Sequence, residues 1–470
     1  MTVKFALPTG DSREAVGEML NRAGVATDGY EPGSRLLRSV LEDDGLTLRV
    51  FREKDIPIQV ALGNYDLGIC GDVWLSELQV RFPLQRVVRV GSLPGPRLEV
   101  WVAAAPNSGL RAGELPAGLA LAGARVASEL PNLADMFAVQ LRIPGYALLP
   151  LYGSADAYPP EDADLVLMPA SSADDVVAKG LVPLARLYEG GLALIANADA
   201  LASRPLGPLL EKLAGLLTAA KPELSALAPT SGTEPRQSRR SEGVLRLALP
   251  DGHAQRHTFT ALNDAGLRFE GYEEKTYVRR PRTAIDGLEV KVVRPQDMPQ
   301  LVAMGAFDIA VTGVDWLHEH HCRFPASPAE MAVDLGRSRY KIGPVVDNAF
   351  PCETTAEALP RWRSLGRPVR IASEYPAMAE AFARDNHLVH TAIIPISGAS
   401  EGFVPEDADV LIEGAETGTS IRANGLKMLD PFMESTNCVI VRKGPVAARQ
   451  GLLDELVAKF RVAAAAVAVS

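Results

Sequence analysis

Cysteine is scarce, with four residues in 470 (Cys70, Cys322, Cys352, Cys438) and no C-x-x-C pair. So few, so scattered, they exclude a disulfide framework and fit reduced thiols in a cytoplasmic protein. Long apolar runs are lacking too. No stretch approaches the roughly 18 apolar residues of a membrane span, and the opening MTVKFALPTGDSREAV has no apolar core followed by a small-residue cleavage site. Neither a membrane nor a secretory signal is therefore expected. Positive charge is in deficit: the formal net charge is −10 and the pI about 5.4, which argues against a nucleic-acid partner. An anionic substrate stays open, because local basic groups and loop amides decide that. What is present is ordinary globular composition, 47% hydrophobic and 23% charged, long enough for several folding units at about 100–200 residues each. The alanine-rich end, AKFRVAAAAVAVS, is too short to cross a bilayer and is expected to pack as a terminal helix.

The chain repeats itself. FALPTGDSREAVGEMLNRAGV from Phe5 matches LALPDGHAQRHTFTALNDAGL from Leu247, and Pro8/Pro250, Tyr30/Tyr272, Asp55/Asp297 and Gly71/Gly313 are all 242 apart. RVASELP from Arg125 then matches RIASEYP from Arg370, and EDADLVL from Glu161 matches EDADVLI from Glu406, at a spacing of 245. A net three-residue insertion therefore lies in copy two between the matched regions. Short β-type runs alternate with helical-period segments in each copy, which predicts α/β lobes with largely parallel sheets. The boundaries expected are 1–218 for the first module, with a second lobe about 108–185, and 244–470 for the second module, with a second lobe about 353–434. Residues 219–243, rich in Pro, Ser, Gly and charge, read as an exposed linker. Ligands of such sheets collect in the cleft at the carboxyl ends of strands.

The sharpest segment is DADVLIEGAETGTSIRANGL, ending at Leu426. A strand runs into Glu413, Gly414, Ala415, Glu416, Thr417, Gly418, Thr419 and Ser420, then into a helix-compatible tail. Hydroxyls and backbone N–H groups converging there suit a phosphate monoester. The carboxylates of Glu413 and Glu416 would repel phosphate and are better matched to the hydroxyls of a neighbouring ribose. An ordinary strand-turn-helix connection is the alternative reading of T-G-T-S alone.

With its two-lobed context this segment resembles the phosphoribosyl-diphosphate loop of ATP phosphoribosyltransferase, the first enzyme of histidine biosynthesis. Both copies carry the family-like ALP-x-G turn, an R-x-x-D-[IM]-P segment (Arg52 to Pro57, Arg294 to Pro299), DLGICG or DIAVTG ending at Gly71 or Gly313, and R-[VI]-A-S-E-x-P. The resemblance implies two tandem copies of a two-lobed, periplasmic-binding-protein-like (type II) α/β module. It implies transfer of phosphoribosyl from phosphoribosyl diphosphate to N1 of ATP, with Mg²⁺ on the diphosphate and no metal ligand assigned to the protein. Glu413, Glu416 and Arg294 take catalytic or ribose roles and Thr417, Gly418, Thr419 and Ser420 the 5′-phosphate. Arg279, Arg280, Arg282, Arg256, Thr312 and Gly313 are candidates for ATP or polyphosphate contact. The family's loop usually has Asp, Thr and Leu where this chain has Glu413, Ser420 and Ile421, and no sequence is left over for the long form's regulatory domain.

Copy one's loop differs in kind. Met168, Ser171, Ser172, Ala173, Asp174 and Asp175 stand at the positions of Glu413, Glu416, Thr417, Gly418, Thr419 and Ser420, so its cleft is expected to be silent. Since enzymes of the resembled family act as dimers in which a neighbour lends a basic residue, the tandem would reproduce a dimer in one chain, with Arg35 or Arg38 donated by copy one. WLHEHHC (His318, His320, His321, Cys322) reads as a solvated helix end rather than a zinc site, because adjacent histidines do not share a helix face. His253 and His257 lie near the early turn. A non-catalytic two-lobed sensor, a transferase for another base, a homo-oligomer through the duplicated modules and a separate regulatory subunit remain open.

Overall fold

The computed structural model describes residues 2–468 apart from 26, 28, 35, 42–44, 84–85, 233–242, 276–277 and 445–448. Runs such as VKFALP and LRLALP are buried along nearly their whole length, as parallel strands covered on both faces require. In copy one the strands Arg38–Leu41, Leu46–Phe51, Val3–Pro8, Leu67–Gly71, Val182–Asn197, Val87–Ala104, Leu165–Ala170, Arg125–Ser128 and Ala147–Pro150 lie side by side in that order in one ten-stranded sheet, with Glu223–Leu224 added beside Val182–Asn197. Copy two has the same connectivity divided into two sheets. Five strands run in the order Leu288–Val293, Leu245–Pro250, Ile309–Gly313, Asn437–Arg442, Ala329–Asp334. Six more comprise Thr391–Pro395, Val369–Ser373, Val410–Ala415, Tyr340–Asp347 and Leu426–Met428 in that order, with Met433–Ser435 beside Tyr340–Asp347.

The division has a local cause. Copy one's crossing strands stay paired from Val87↔Asn197 to Ala104↔Val182, across a bulge at Leu93/Leu98. Copy two's first crossing strand stops at Asp334 and resumes at Tyr340, because Gly336 (φ 64°) and Ser338 (φ 53°) take left-handed conformations between them. The second-lobe sheets thus begin upstream of residues 108 and 353, at the far halves of these crossing strands. The described part of the linker lies along copy one: Glu223–Leu224 pairs with the Tyr188–Glu189 stretch, and Thr230 N–H donates to Leu115 O. The terminal helix Gln450–Ala468 packs Leu453, Leu456, Phe460 and Ala463 onto copy two's first sheet. Among the described residues no helix is long and apolar enough to cross a membrane.

The copies are joined crosswise. Tyr158, Val166 and Met168 of copy one's second lobe share a core with Val293, Leu301 and Phe307 of copy two's first lobe. Phe51, Tyr65 and Ile195 of copy one's first lobe share another with Val345, Phe403 and Leu411 of copy two's second. Phe51 and Phe403 meet edge to face at 4.7 Å. Ion pairs recur by pseudo-symmetry: Lys291 reaches Glu161 at 2.7 Å, and its repeat equivalent Arg49 reaches Glu406 at 2.5 Å. Arg246 grips Asp162 through both oxygens (2.9 and 2.7 Å), and these cations hold Glu161 and Asp162 at about 2 against the opposing effect of burial. Such self-complementary contact is what a two-fold dimer makes, here within one chain.

Buried carboxyls in the same seams shift the other way. Tyr152 N–H (3.4 Å) and the Tyr158 hydroxyl (3.2 Å) donate to Asp297, and burial raises that carboxyl to about 7. A carboxyl raised by folding contributes stability that is complete below its unfolded value near 3.8 and lost as pH rises through about 7. The melting temperature should therefore fall between about pH 4 and about pH 7, with each such group contributing at most about 1.4 kcal/mol per pH unit. Asp297→Asn should reduce that slope without abolishing it, because Asp55 and Asp407, both raised to about 6, remain. Identical slopes in thermal melts of parent and variant would rule out ionisation of Asp297 as the load.

Candidate functional site

Between copy two's lobes lies a cleft of about 320 Å³ lined at the carboxyl ends of its strands. Asp251–Ala254 follow the strand Leu245–Pro250, Arg294–Gln296 follow Leu288–Val293, and Gly313, Asp315 and Trp316 follow Ile309–Gly313; Tyr375, Glu413, Gly414 and Glu416 close it from the second lobe. The loop after Val410–Ala415 has its tight point at Gly418 (φ 65°), where an added Cβ would stand 2.9 Å from Arg422 Nη1. Thr417 and Thr419 turn their hydroxyls to within 2.8 Å of each other, and Arg422 donates to Thr417 O at 2.8 Å. Small residues were needed here for the turn, and the hydroxyls are exposed.

Glu413 accepts from Ser400 Oγ at 2.5 Å and from Gly414 N–H at 2.8 Å. Burial, then the neighbouring Glu374 and Glu401, raise its carboxyl to about 8, so near neutral pH it is chiefly protonated and can donate. Glu416 is exposed at the rim, 3.9 Å from His253 Nε2. Arg294 lines the cleft and pairs with Asp251 at 3.2 Å, while its Nε is buried without a partner among the described residues. Arg279 also pairs with Asp251, at 2.8 Å, and leans toward Asp156 of copy one. Gly313 lines the cleft; Thr312 behind it is buried and spends its hydroxyl on Pro295 O.

Other expected contacts point elsewhere. Arg280 is engaged by Glu161 and Pro159 O of copy one, because the copies pack there. Arg282 is exposed 3.9 Å from Glu270, and Arg256 is exposed beside His257. Arg38 reaches the back of the Glu416–Ser420 loop rather than the cleft, bonding to Asn424 O; Arg35 lies outside the described residues. His320 bonds to Ser327 and His321 to Ala329 O, while Cys322 faces His318 at 3.6 Å, so the side chains of WLHEHHC have separate partners.

Copy one's equivalents are filled from within. The carboxylate of Asp175 accepts from Ser171 N–H at 3.0 Å and from Lys179 at 3.2 Å, taking the place an incoming anion would need. Glu53 accepts from Gly71 N–H at 2.9 Å and from Ser12 Oγ, whereas copy two has Pro295 at that position.

Sequence reasoning missed the polar floor of copy two's cleft. Asp315, fully buried, accepts from Tyr375 OH (2.8 Å) and Ser435 Oγ (2.7 Å), with the Trp316 and Tyr375 rings 4.5 Å apart. The repeat puts Val73, Leu130 and Gly190 where Asp315, Tyr375 and Ser435 stand, and Leu98 at Tyr340. The signal was available as polar-for-apolar differences between the copies. Arg52 of copy one was also missed: a methyl on Gly398 would meet Arg52 Nε and Glu374 Oε1, each at 2.9 Å, so copy one brings a cation to the carboxyl cluster under the loop.

Fold and cleft define a duplicated two-lobed α/β chain in which one interlobe cleft keeps an open hydroxyl-and-amide loop. The family model described as HisG: ATP phosphoribosyltransferase matches residues 52–218 and again 294–462, and the chain belongs to that family. An ATP phosphoribosyltransferase of Chlorobium phaeovibrioides is 32% identical over 209 residues, covering 43% of this chain and 65% of that protein; one of Metallosphaera sedula is 29% identical over 203 residues, covering 42% and 65%. The matched stretch thus spans a little under two thirds of these relatives' length. Among solved structures, the ATP phosphoribosyl transferase (HisG:HisZ) complex from Thermotoga maritima aligns at 20% identity and a TM-score of 0.37, covering 47% of this chain and 98% of that one.

The cleft floor makes a stability prediction. Asp315→Val should cost about 1–3 kcal/mol by leaving buried hydroxyls unsatisfied. Combined with Tyr375→Leu, the pairing found in copy one, the loss should fall short of the sum of the single losses by about 1 kcal/mol or more. Strict additivity in urea titrations would mean that the two groups do not act as a unit.

Proposed function

We propose that the chain is an ATP phosphoribosyltransferase with one working cleft, that of copy two, catalysing the first step of histidine biosynthesis. The bond from C1′ of phosphoribosyl diphosphate to pyrophosphate breaks as a bond forms from C1′ to N1 of the adenine of ATP, and pyrophosphate leaves. The observation that carries this reading is the contrast within one chain: in copy two Thr417, Thr419 and Ser420 are exposed just beyond Glu416 at the rim of the cleft, whereas in copy one Asp175 bonds to the loop's own Ser171 N–H.

Thr417 to Ser420 hold the 5′-phosphate, Glu416 at the rim meets the ribose hydroxyls, and Glu413 contributes as a hydrogen-bond donor. Arg294 faces the diphosphate, with Mg²⁺ arriving bound to it as part of the substrate. Trp316, Tyr340 and Tyr375 offer flat faces to adenine. Because the transfer passes through a sugar cation-like state, catalysis rests on positioning and on cancelling charge that grows on pyrophosphate. The Thermotoga relative is solved as a HisG:HisZ complex, and a separate regulatory subunit is carried here as a proposed partner binding outside the internal seams.

Incubation with ATP, phosphoribosyl diphosphate and Mg²⁺ should yield an N1-linked product, and calorimetry should count one phosphoribosyl diphosphate per chain. Gly418→Val, strained at positive φ, should lower turnover at least about tenfold with the melting temperature little changed, while Ser171→Ala and Ser172→Ala leave turnover intact. No product from the parent, or two sites per chain, would overturn the proposal.

A further inference from the structure

Behind the phosphate loop, copy one bonds to Asn424, a position held by Lys179 in copy one's own loop. Asn424, 3% exposed, closes the loop helix Thr419–Ala423: its Nδ2 donates to Ser420 O at 2.9 Å, and its backbone N–H to the same oxygen at 3.1 Å. Its remaining side-chain atom, Oδ1, is taken by copy one, where Leu37 N–H donates to it at 2.9 Å. The next residue, Arg38, donates to Asn424 O and to Val404 O (3.4 Å), and pairs with Asp347 at 3.4 Å. Asn424 is therefore bonded on one side to Ser420 of the loop and on the other to the backbone of copy one.

Pseudo-symmetry supplies the control. The residue at the position of Asn424 in copy one is Lys179, which turns to Asp175 at 3.2 Å. The position of Arg38 in copy two is Arg280, which bonds to Pro159 O and Glu161, the counterparts of Val404 O and Glu406, so that part of the seam is common to both sides. What is particular to the side of the open loop is thus the pair of bonds that clamp Asn424, from Leu37 N–H and from Arg38; on the other side Lys179 stands at that position and turns to Asp175.

We propose that Asn424, held by Leu37 and Arg38 of copy one, is a positioning residue that sets the phosphate loop of copy two, so that the silent copy acts on the working site through the loop's far end. The proposal rests on the functional reading above. An Asn side chain can satisfy both sides at once because it carries a donor and an acceptor on one amide, which neither Asp nor Leu does. Removing the clamp leaves the loop's residues in place and loosens their alignment, so the loss falls on the phosphoribosyl substrate and spares ATP.

The test is calorimetric titration of the full chain with phosphoribosyl diphosphate and with ATP, each with Mg²⁺, alongside steady-state KM values. Arg38→Ala and Asn424→Ala should each weaken phosphoribosyl diphosphate about tenfold, the scale of one buried hydrogen bond, with ATP affinity changed less than about twofold. Asn424→Asp, which keeps the acceptor for Leu37 and loses the donor to Ser420, should fall between Ala and the parent, and serves if Asn424→Ala fails to fold. Lys179→Ala should behave as the parent. Parent-like phosphoribosyl diphosphate binding in Arg38→Ala, or equal losses for both substrates, overturns the clamp. Failure of the parent itself to bind phosphoribosyl diphosphate overturns the functional reading, which the parent titration reports separately.

Discussion

Everything in this chain depends on the fact that each first lobe shares its core with the second lobe of the other copy. Phe51, Tyr65 and Ile195 are fully or almost fully buried because Phe403, Leu411 and Val345 cover them; on a separated module they would face water. Apolar burial on this scale, at about 25 cal/mol per Å², makes separation of the copies costly. The ion pairs then fix the register. Lys291 and Arg246 are almost completely buried, and a buried cation is tolerated only while Glu161 and Asp162 stay in place.

Held this way, the two copies keep one shape while their clefts differ in chemistry. Copy one replaced a buried polar floor with Val73, Leu98 and Leu130, which pack without hydrogen-bond demands. Asp175 and Glu53 accept from the backbone N–H groups of Ser171 and Gly71, so those donors are satisfied from within the chain. Internal carboxylates thus keep copy one's loop folded.

The repeat, the strand-helix alternation, the terminal helix and the glycine-hydroxyl loop were all readable from residue order, because each depends on contacts local in sequence or on a match between the copies. The crosswise seams were not. Arg280 and Arg38 look like free basic residues until Glu161 and Asn424, 119 and 386 positions away, come to meet them. Glu413 is a related case: its residue type promises a negative charge, and only its burial, with Glu374 and Glu401 packed beside it, shows why its carboxyl is raised. Asp315 was hidden by neighbours that shift the pattern by one place, VDW in one copy against DVW in the other.

The two cores also bear on how copy two's cleft moves. Its lobes meet at chain breaks, Leu335–Arg339 and Thr436, where backbone dihedrals can change without tearing a sheet. Each of those lobes, however, is fused through a shared core to a lobe of copy one, and copy one's lobes are joined by crossing strands paired from Val87 to Ala104. Opening copy two's cleft widely would mean bending that sheet or parting a core, and packed interiors resist such continuous deformation. The bulge at Leu93/Leu98 is where the sheet yields most easily, since its ladder is already interrupted there. Copy one thus acts as a brace: it leaves copy two's cleft its hinge and limits the hinge's travel, which keeps the lobe carrying Arg294 within a fixed range of the lobe carrying Thr417 to Ser420.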